Sequence, residues 1–234
     1  LQERVSKEYV SESGIRPTVI LPLRAPVDKM NKTSLEKLPG ISNTYQIEHV
    51  KLSKDDLPKN IYEQMPINVN KTQVEYERQY LENNINCPKE ITLKIGAQVM
   101  CIVNLDMENK FNPICNGSQG IVTGFDELSQ YPIVRFNNNV TRLISPHSWS
   151  SESIPTIAIR QLPLILAWAV TIHKVQGATI DVAEVDIGSG IFEYGQSYVA
   201  LSRVTSLDGL YIKSFDASKI KINKKVQTFY KNLS

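Results

Sequence analysis

Residues 164–187 read LILAWAVTIHKVQGATIDVAEVDI, and residues 194–212 read YGQSYVALSRVTSLDGLYI. In the first stretch an apolar run, 164–172, stops abruptly at His173-Lys174-Val175-Gln176-Gly177, and a second apolar strand follows at 182–187. Near-continuous apolar strands mark a sheet buried on both faces, the usual setting of a parallel sheet covered by helices. A buried strand that delivers polar groups and a glycine at its end is how such sheets build phosphate sites. The second stretch predicts a short helix carrying one arginine, Arg203, among apolar neighbours, then a strand at 210–212. An arginine on an otherwise apolar helical face needs an anionic partner, and a transferring phosphoryl group is one candidate.

Each of these features also has a plainer reading. Standing alone, His173 and Lys174 would be a solvated loop pair. Gln176, Gly177 and Thr179 follow directly, however, and small and polar residues clustered at a strand end favour a backbone approach to phosphate. Gly177 permits that approach, while Thr171 and His173 can donate to phosphate oxygens. Arg203 reads either as a helix-end cation facing the helix dipole or as a charge supplied to a phosphoryl-transfer transition state. Asp126-Glu127 after an apolar strand imitates a metal-binding acidic pair, but Leu128 to Pro132 continues as a turn and another strand, so the pair reads as a hairpin tip. The pattern G-x-x-x-x-G-K-[ST] is absent, so the chain carries no phosphate-cradling loop of its own. Trp149, Trp168, Phe125 and Phe136 read as core or as stacking surfaces, and Arg24, Lys29 and Lys32 as a solvated helix face or as contacts to a nucleic-acid backbone.

Outward from these stretches, residues 3–13 read as a helix stopped by Gly14, and 18–21 as a short buried strand closed by Pro22. Pro26 suits the first turn of a helix that runs through Val27, Met30, Asn31 and Leu35 and stops at Leu38-Pro39-Gly40. A strand at 42–52 then completes a β-α-β order, which predicts a parallel sheet. Residues 53–90 are polar and punctuated by Pro58, Pro66 and Pro88, with one short helix in VEYERQYLEN (residues 74–83). From 91 to 149 the period changes to that of strands, at 91–95, 98–104, 120–125, 133–136 and 140–144, separated by turns such as Asn116-Gly117. Five short strands without helices predict a small closed barrel of the SH3-like or OB kind, inserted into the larger α/β lobe. A terminal helix at 223–233 places Val226, Phe229, Tyr230 and Leu233 on one face.

Bulk properties narrow the classes. At 234 residues the chain holds one large domain or two small ones. A net charge of +2 gives no global basic field, so nucleic-acid binding must come from local patches. No apolar run approaches the roughly 18 residues of a membrane span, and the charged opening LQERVSKEYVSESG reads as helix, not as a secretory leader. Cys87, Cys101 and Cys115 form no CxxC, which predicts reduced thiols in place of a zinc site and an intracellular protein: nuclear or mitochondrial if eukaryotic, otherwise cytoplasmic. The Asn-x-Ser/Thr triplets at Asn31, Asn70, Asn116, Asn139 and Asn232 read as chance in an Asn-rich chain.

LAWAVTIHKVQGATID (166–181) and YVALSRVTSLDGLYI (198–212) together resemble the C-terminal half of PIF-type DNA helicases, with RecD and Helitron helicases as cousins. PTVILPLRAPVDKMNKTSLEKLPG (17–40) looks like the family's motif IV region, and LKIGAQVMCIVNLD (93–106), NGSQGIVTGF (116–125) and PIVRFNN (132–138) look like its SH3-like insert. The resemblance implies an α/β fold: a RecA-like parallel-sheet lobe at 1–53 and 161–234, a connection at 54–90 and an inserted SH3-like barrel at 91–160. It implies DNA contact by Thr171, His173 and Lys174, nucleotide contact by Gln176, Gly177, Gln196, Tyr198 and Arg203, and a catalytic arginine finger in Arg203. It implies single-stranded DNA, ATP and Mg2+ as partners, with the metal held mainly by a first RecA-like lobe that this stretch lacks, and no metal ligands or membrane contact here. Family members move 5′→3′ on single strands, opening duplexes and G-quadruplexes. A non-catalytic binding module that kept this fold is the rival expectation.

Overall fold

A computed structural model of the chain describes residues 14–53, 55, 57, 69–105, 112–188, 190–220 and 224–231. The expected helix at 3–13 and Leu233 lie outside these residues, as does the side chain of Tyr230. The fold is mixed α/β, with one parallel sheet and three small antiparallel sheets.

The parallel sheet starts from β1 (Thr18–Leu21), whose Thr18, Ile20 and Leu21 are buried. Helix α1 (Arg24–Glu36) follows, with Pro26 in its first turn, and Val27 packs with Leu21 and Ala169. The chain then leaves this sheet, contrary to the expected β-α-β order. Residues 42–52 form two strands, not one. They are β2 (Asn43–Gln46) and β3 (Glu48–Lys51), divided at Ile47, whose amide makes the last bond of the first ladder, to Lys89 O at 2.8 Å, before the chain changes partner. Both pair antiparallel outside the parallel sheet. Their side chains are exposed or half-buried throughout, so neither suits a position covered on both faces.

Helix α2 (Lys71–Asn84) is set by a capping box: Asn70 accepts from Gln73 N, and Gln73 returns a bond to Asn70 N. Its Leu81 packs on Ile154, Ile157 and Ile159. Strand β4 (Glu90–Leu93), expected within the barrel, pairs with β2. Next come β5 (Gln98–Cys101), β6 (Gln119–Phe125), β7 (Pro132–Phe136) and β8 (Thr141–Leu143). Strands β9 (His147–Ser150) and β10 (Ile157–Gln161) were not foreseen from the sequence, and they form a sheet with β3.

The apolar run at 164–172 holds a second correction. It is two strands, β11 (Leu164–Leu166) and β12 (Ala169–Thr171), in different sheets. Strand β11 closes the antiparallel sheet β11-β5-β6-β7-β8, while β12 joins the parallel sheet beside β1. The break falls at Ala167, whose carbonyl accepts from Thr18 Oγ1 at 2.8 Å and Gln98 Nε2 at 2.9 Å and so cannot continue either ladder. Strand β13 (Ala183–Ile187), helix α3 (Gln196–Leu201) and strand β14 (Leu210–Phe215) complete the parallel sheet in the order β12-β1-β13-β14. A final helix, α4 (Lys224–Lys231), leaves Val226 and Phe229 exposed.

Besides the small clusters around Val27 and Leu81, two larger apolar cores result among the described residues. One joins Ile20, Val170, Val185 and Ile212 under the parallel sheet, and the other joins Leu93, Val99, Val122, Val134, Phe136 and Leu164 inside the antiparallel one. Each fully buried Ile or Leu contributes about 1.5–3 kcal/mol of apolar burial. A polar seam lies between the cores. Gln119 donates to Thr18 Oγ1 at 2.7 Å and to Val182 O at 2.9 Å, and Gln98 exchanges bonds with the Arg16 backbone.

Candidate functional site

Strand β12 ends at Thr171, and the next residues wind into successive turns. Lys174 N bonds to Thr171 O at 3.1 Å and to Thr171 Oγ1 at 3.3 Å, Gln176 N to His173 O at 3.2 Å, and Ala178 N to Val175 O at 3.0 Å. Ile172, Val175 and Ala178 are buried in the core, and this three-residue spacing turns His173, Lys174, Gln176 and Gly177 outward. Gly177 has φ +80°, and nothing lies within 4 Å of where a Cβ would stand. The glycine is therefore demanded by the backbone, and the space before it is open.

Lys174 is fixed more tightly than a solvated lysine. Its ammonium donates to Asn86 O at 3.2 Å. Although the side chain is exposed, partial desolvation of the amine beside Asn86 lowers its pKa, and the nearby Arg24 lowers it further, against the pull of Cys87 and Asp28. Arg24 itself pairs with Asp28 at 3.3 Å on an exposed face, and Lys32 reaches Glu36 at 4.0 Å. These pairs suit the solvated-face reading of α1.

Around α3 the chain places Gly195 as N-cap with φ +77°. Gln196 is buried, and its Oε1 accepts from the amides of Phe192 and Glu193 at 3.2 and 3.3 Å. It thus braces the loop before the helix, while its Nε2 and the Ser197 hydroxyl have no hydrogen-bond partner among the described residues. Tyr198 is exposed. Arg203 lies past the helix end, not within the helix as the sequence suggested, because the helix closes at Leu201 with Ser202 as its cap. Its Nε donates to Val199 O at 3.2 Å and its Nη2 to Ser202 Oγ at 2.9 Å, so the half-buried guanidinium folds back over the last turn.

The two stretches meet through the backbone. Ile180 N donates to Arg203 O at 2.9 Å, and Thr205 N to Ile180 O at 3.0 Å. This parallel bridge ties the exit of the His173–Gly177 loop to the arginine. Nothing in the sequence marks Ile180 as its anchor beyond its nearness to Gly177.

The other candidates resolve simply. Asp126 Oδ2 accepts from Ser129 N and Oγ at 2.8 and 2.7 Å, bonds that hold its carboxyl below the usual range at a hairpin tip. Phe136 is core, Phe125 and Trp168 pack against the antiparallel cluster, and Trp149 meets His147 edge-on at 4.7 Å. The Asn31 amide is used by the Ala169 backbone at both ends, and Asn70 caps α2, so two of the Asn-x-Ser/Thr triplets have structural roles. Among the described residues no group of three or more acidic, His or Cys side chains could hold a metal, and no helix is long and apolar enough to cross a membrane.

Comparison with known proteins gives this geometry its context. A family profile described as "DNA helicase Pif1, 2B domain" matches residues 79–125. An ATP-dependent DNA helicase PIF1 of Xenopus laevis is 36% identical over 231 residues, covering 97% of this chain and 32% of that protein. The chain belongs to the PIF-type DNA helicases. Its fold agrees: the crystal structure of Pif1 helicase from Candida albicans matches over 99% of this chain and 52% of that one, with TM-score 0.68 and 31% identity. Bacteroides Pif1 bound to single-stranded DNA matches over 98% of this chain and 48% of that one, with TM-score 0.58 and 26% identity. The chain spans about a third of the length of the PIF-type relative from Xenopus.

Proposed function

We propose that the chain is the second motor lobe of an ATP-dependent DNA helicase that moves 5′→3′ on single-stranded DNA and opens duplex or G-quadruplex DNA. In this reading the parallel sheet belongs to the RecA-like lobe, drawn from residues 1–53 and 161–234, and residues 91–160, joined by 54–90, form its SH3-like insert, whose five-stranded sheet takes in β11 (Leu164–Leu166) as an edge. The observation that carries it is the parallel bridge of Ile180 to Val204, whose bond from Ile180 N to Arg203 O joins a loop suited to phosphate with an arginine suited to a γ-phosphate.

The residues suit one side of a shared nucleotide site. Arg203 supplies a cation, but the sequence lacks G-x-x-x-x-G-K-[ST] and the described residues hold no acidic cluster, so in this reading ATP and Mg2+ are held mainly by the first lobe. Bound ATP supplies the phosphoryl group. Arg203 unfolds from Val199 and Ser202 to meet its developing charge, and Tyr198, Gln176 and Gly177 face the nucleotide, with Gln196 holding the loop in front of them. Thr171, His173 and Lys174 hold the DNA backbone, a largely electrostatic contact. Closure of the two lobes on ATP then moves the grip on DNA. The rival reading, a non-catalytic binding module, draws on one observation: Arg203 is already satisfied by its own helix.

The test is DNA-stimulated ATP hydrolysis by the protein with its first lobe joined, native against Arg203→Ala. A loss on the order of 10³-fold in turnover with single-strand binding retained is expected of a finger. Equal turnover in both would remove Arg203 from the mechanism, and no turnover in the native protein would leave the binding module.

A further inference from the structure

Thr179 and Ile180 are bonded on two sides at once. Thr179 N donates to Asn116 O of the antiparallel module at 3.1 Å, and Ile180 N donates to Arg203 O at 2.9 Å. The partner turn, Asn116-Gly117, is stiff. Gly117 N bonds to Cys101 O at 2.8 Å, Ser118 N to Cys115 O at 2.9 Å, and Asn116 N to Asn104 Oδ1 at 3.0 Å. Gly117 has φ +103°, and a Cβ there would stand 2.2 Å from Thr179 O and 2.7 Å from Thr179 N. Backbone lies on backbone, and only glycine fits the approach.

We infer that the Asn116-Gly117 turn is a positioning element of the motor: it sets the height of the His173–Gly177 loop and, through Ile180, that of Arg203. A single dipeptide, Thr179-Ile180, then registers the insert, the DNA loop and the arginine against one another. Gly117 touches neither DNA nor nucleotide and acts through Thr179. The inference rests on the motor reading above and adds that the insert is part of what places the finger.

Other glycines of the same module provide controls. A Cβ on Gly120 would strike Val134 Cγ1 at 2.6 Å and Arg135 O at 2.9 Å inside the sheet, without touching the loop, and one on Gly124 would meet nothing within 4 Å. The experiment uses the protein with its first lobe and compares native, Gly117→Ala, Asn104→Ala, Gly120→Ala and Gly124→Ala. It measures the melting temperature, ssDNA-stimulated kcat per folded molecule and the oligothymidylate concentration for half-stimulation. Gly117→Ala is expected to lower stimulated kcat at least about tenfold, since small misplacements of reacting groups act on that scale, and to raise the half-stimulating concentration. Asn104→Ala, which adds no bulk, lowers kcat in the same direction and decides the matter if Gly117→Ala does not fold. Gly120→Ala lowers the melting temperature while stimulated kcat stays within about twofold, because an intact clasp keeps the reacting groups in place. Gly124→Ala is native in all three measurements. Native stimulation in Gly117→Ala, or an equal loss in Gly120→Ala, overturns the inference while leaving the motor reading intact. Absence of stimulated turnover in the native protein overturns both.

Discussion

Replacing Gln119 by alanine tests whether the polar seam holds the two sheets together. The side chain is 1% exposed and donates to Thr18 Oγ1 and Val182 O, while its Oε1 accepts from Val182 N at 3.3 Å. Val182 O keeps a second donor in Thr18 N at 3.3 Å, and Thr18 Oγ1 keeps its bond to Ala167 O, so neither is orphaned by the change. The Val182 amide loses its side-chain acceptor. Two lost bonds at about 1 kcal/mol each, with about 1–3 kcal/mol for a half-buried amide left unmet, give a loss of about 3–5 kcal/mol. For a chain of this size that is about 10 °C in melting temperature. Urea unfolding followed by tryptophan fluorescence measures it. A Gln119→Glu variant sharpens the argument. Its carboxyl would face Val182 O, so burial without a cation raises its pKa in the folded state. The variant is then near native below the ordinary glutamate pKa of about 4.3 and loses stability as pH rises through that value. A Gln119→Ala loss below about 1 kcal/mol, less than one ordinary hydrogen bond, would refute the seam as a structural joint.

Asn31→Leu keeps volume but strips the edge strand β12 of the amide that meets Ala169 N and O at 2.9 and 2.8 Å. A loss of about 1–3 kcal/mol in urea unfolding is expected, and native stability would discount the contact. Burial pushes the Cys87 and Cys101 thiols up to about 11, so both should resist a thiol reagent at neutral pH until the protein unfolds. Because both are raised from 9.0, the protein gains from them below that pH and loses the gain as pH rises from 9.0 towards about 11; a flat alkaline limb would contradict this. If Lys174 neutralises one phosphate, Lys174→Ala flattens the salt dependence of single-strand binding by about 0.7 in log–log slope, whereas an unchanged slope would leave it as a tie to Asn86 alone.

Sequence reading succeeded wherever local pattern decides structure. The buried strand at Thr18–Leu21, the helix with Pro26 in its first turn, the strands at Ala183–Ile187 and Leu210–Phe215 and the turn at Asn116-Gly117 all carry short-range signals. It failed where a long-range partner decides. Nothing within 164–172 shows that the run breaks at Ala167, because the break is made by Thr18 and Gln98, far off in the chain. The His147–Ser150 and Ile157–Gln161 strands were missed for a related reason: three of the four residues of the first are polar, and the second gains its order by pairing with the first on one side and with Glu48–Lys51 on the other.

The same division runs through the site. His173–Gly177 and Arg203 were visible as separate motifs because each is a local departure from an apolar background. Their connection was not, since Ile180 makes it with its backbone N–H and carbonyl alone, a pair that every residue type except proline carries. A motif read from side chains therefore finds the groups that meet a ligand, whereas the parts that place those groups are found only in the folded chain. Gly117 shows the limit of this rule. Its left-handed backbone was legible as a turn, and the structure adds that Thr179 lies where a Cβ would be. If that approach places Arg203, substitutions at Thr179 that keep the amide should preserve stimulated turnover whatever their side chain, while proline should abolish it.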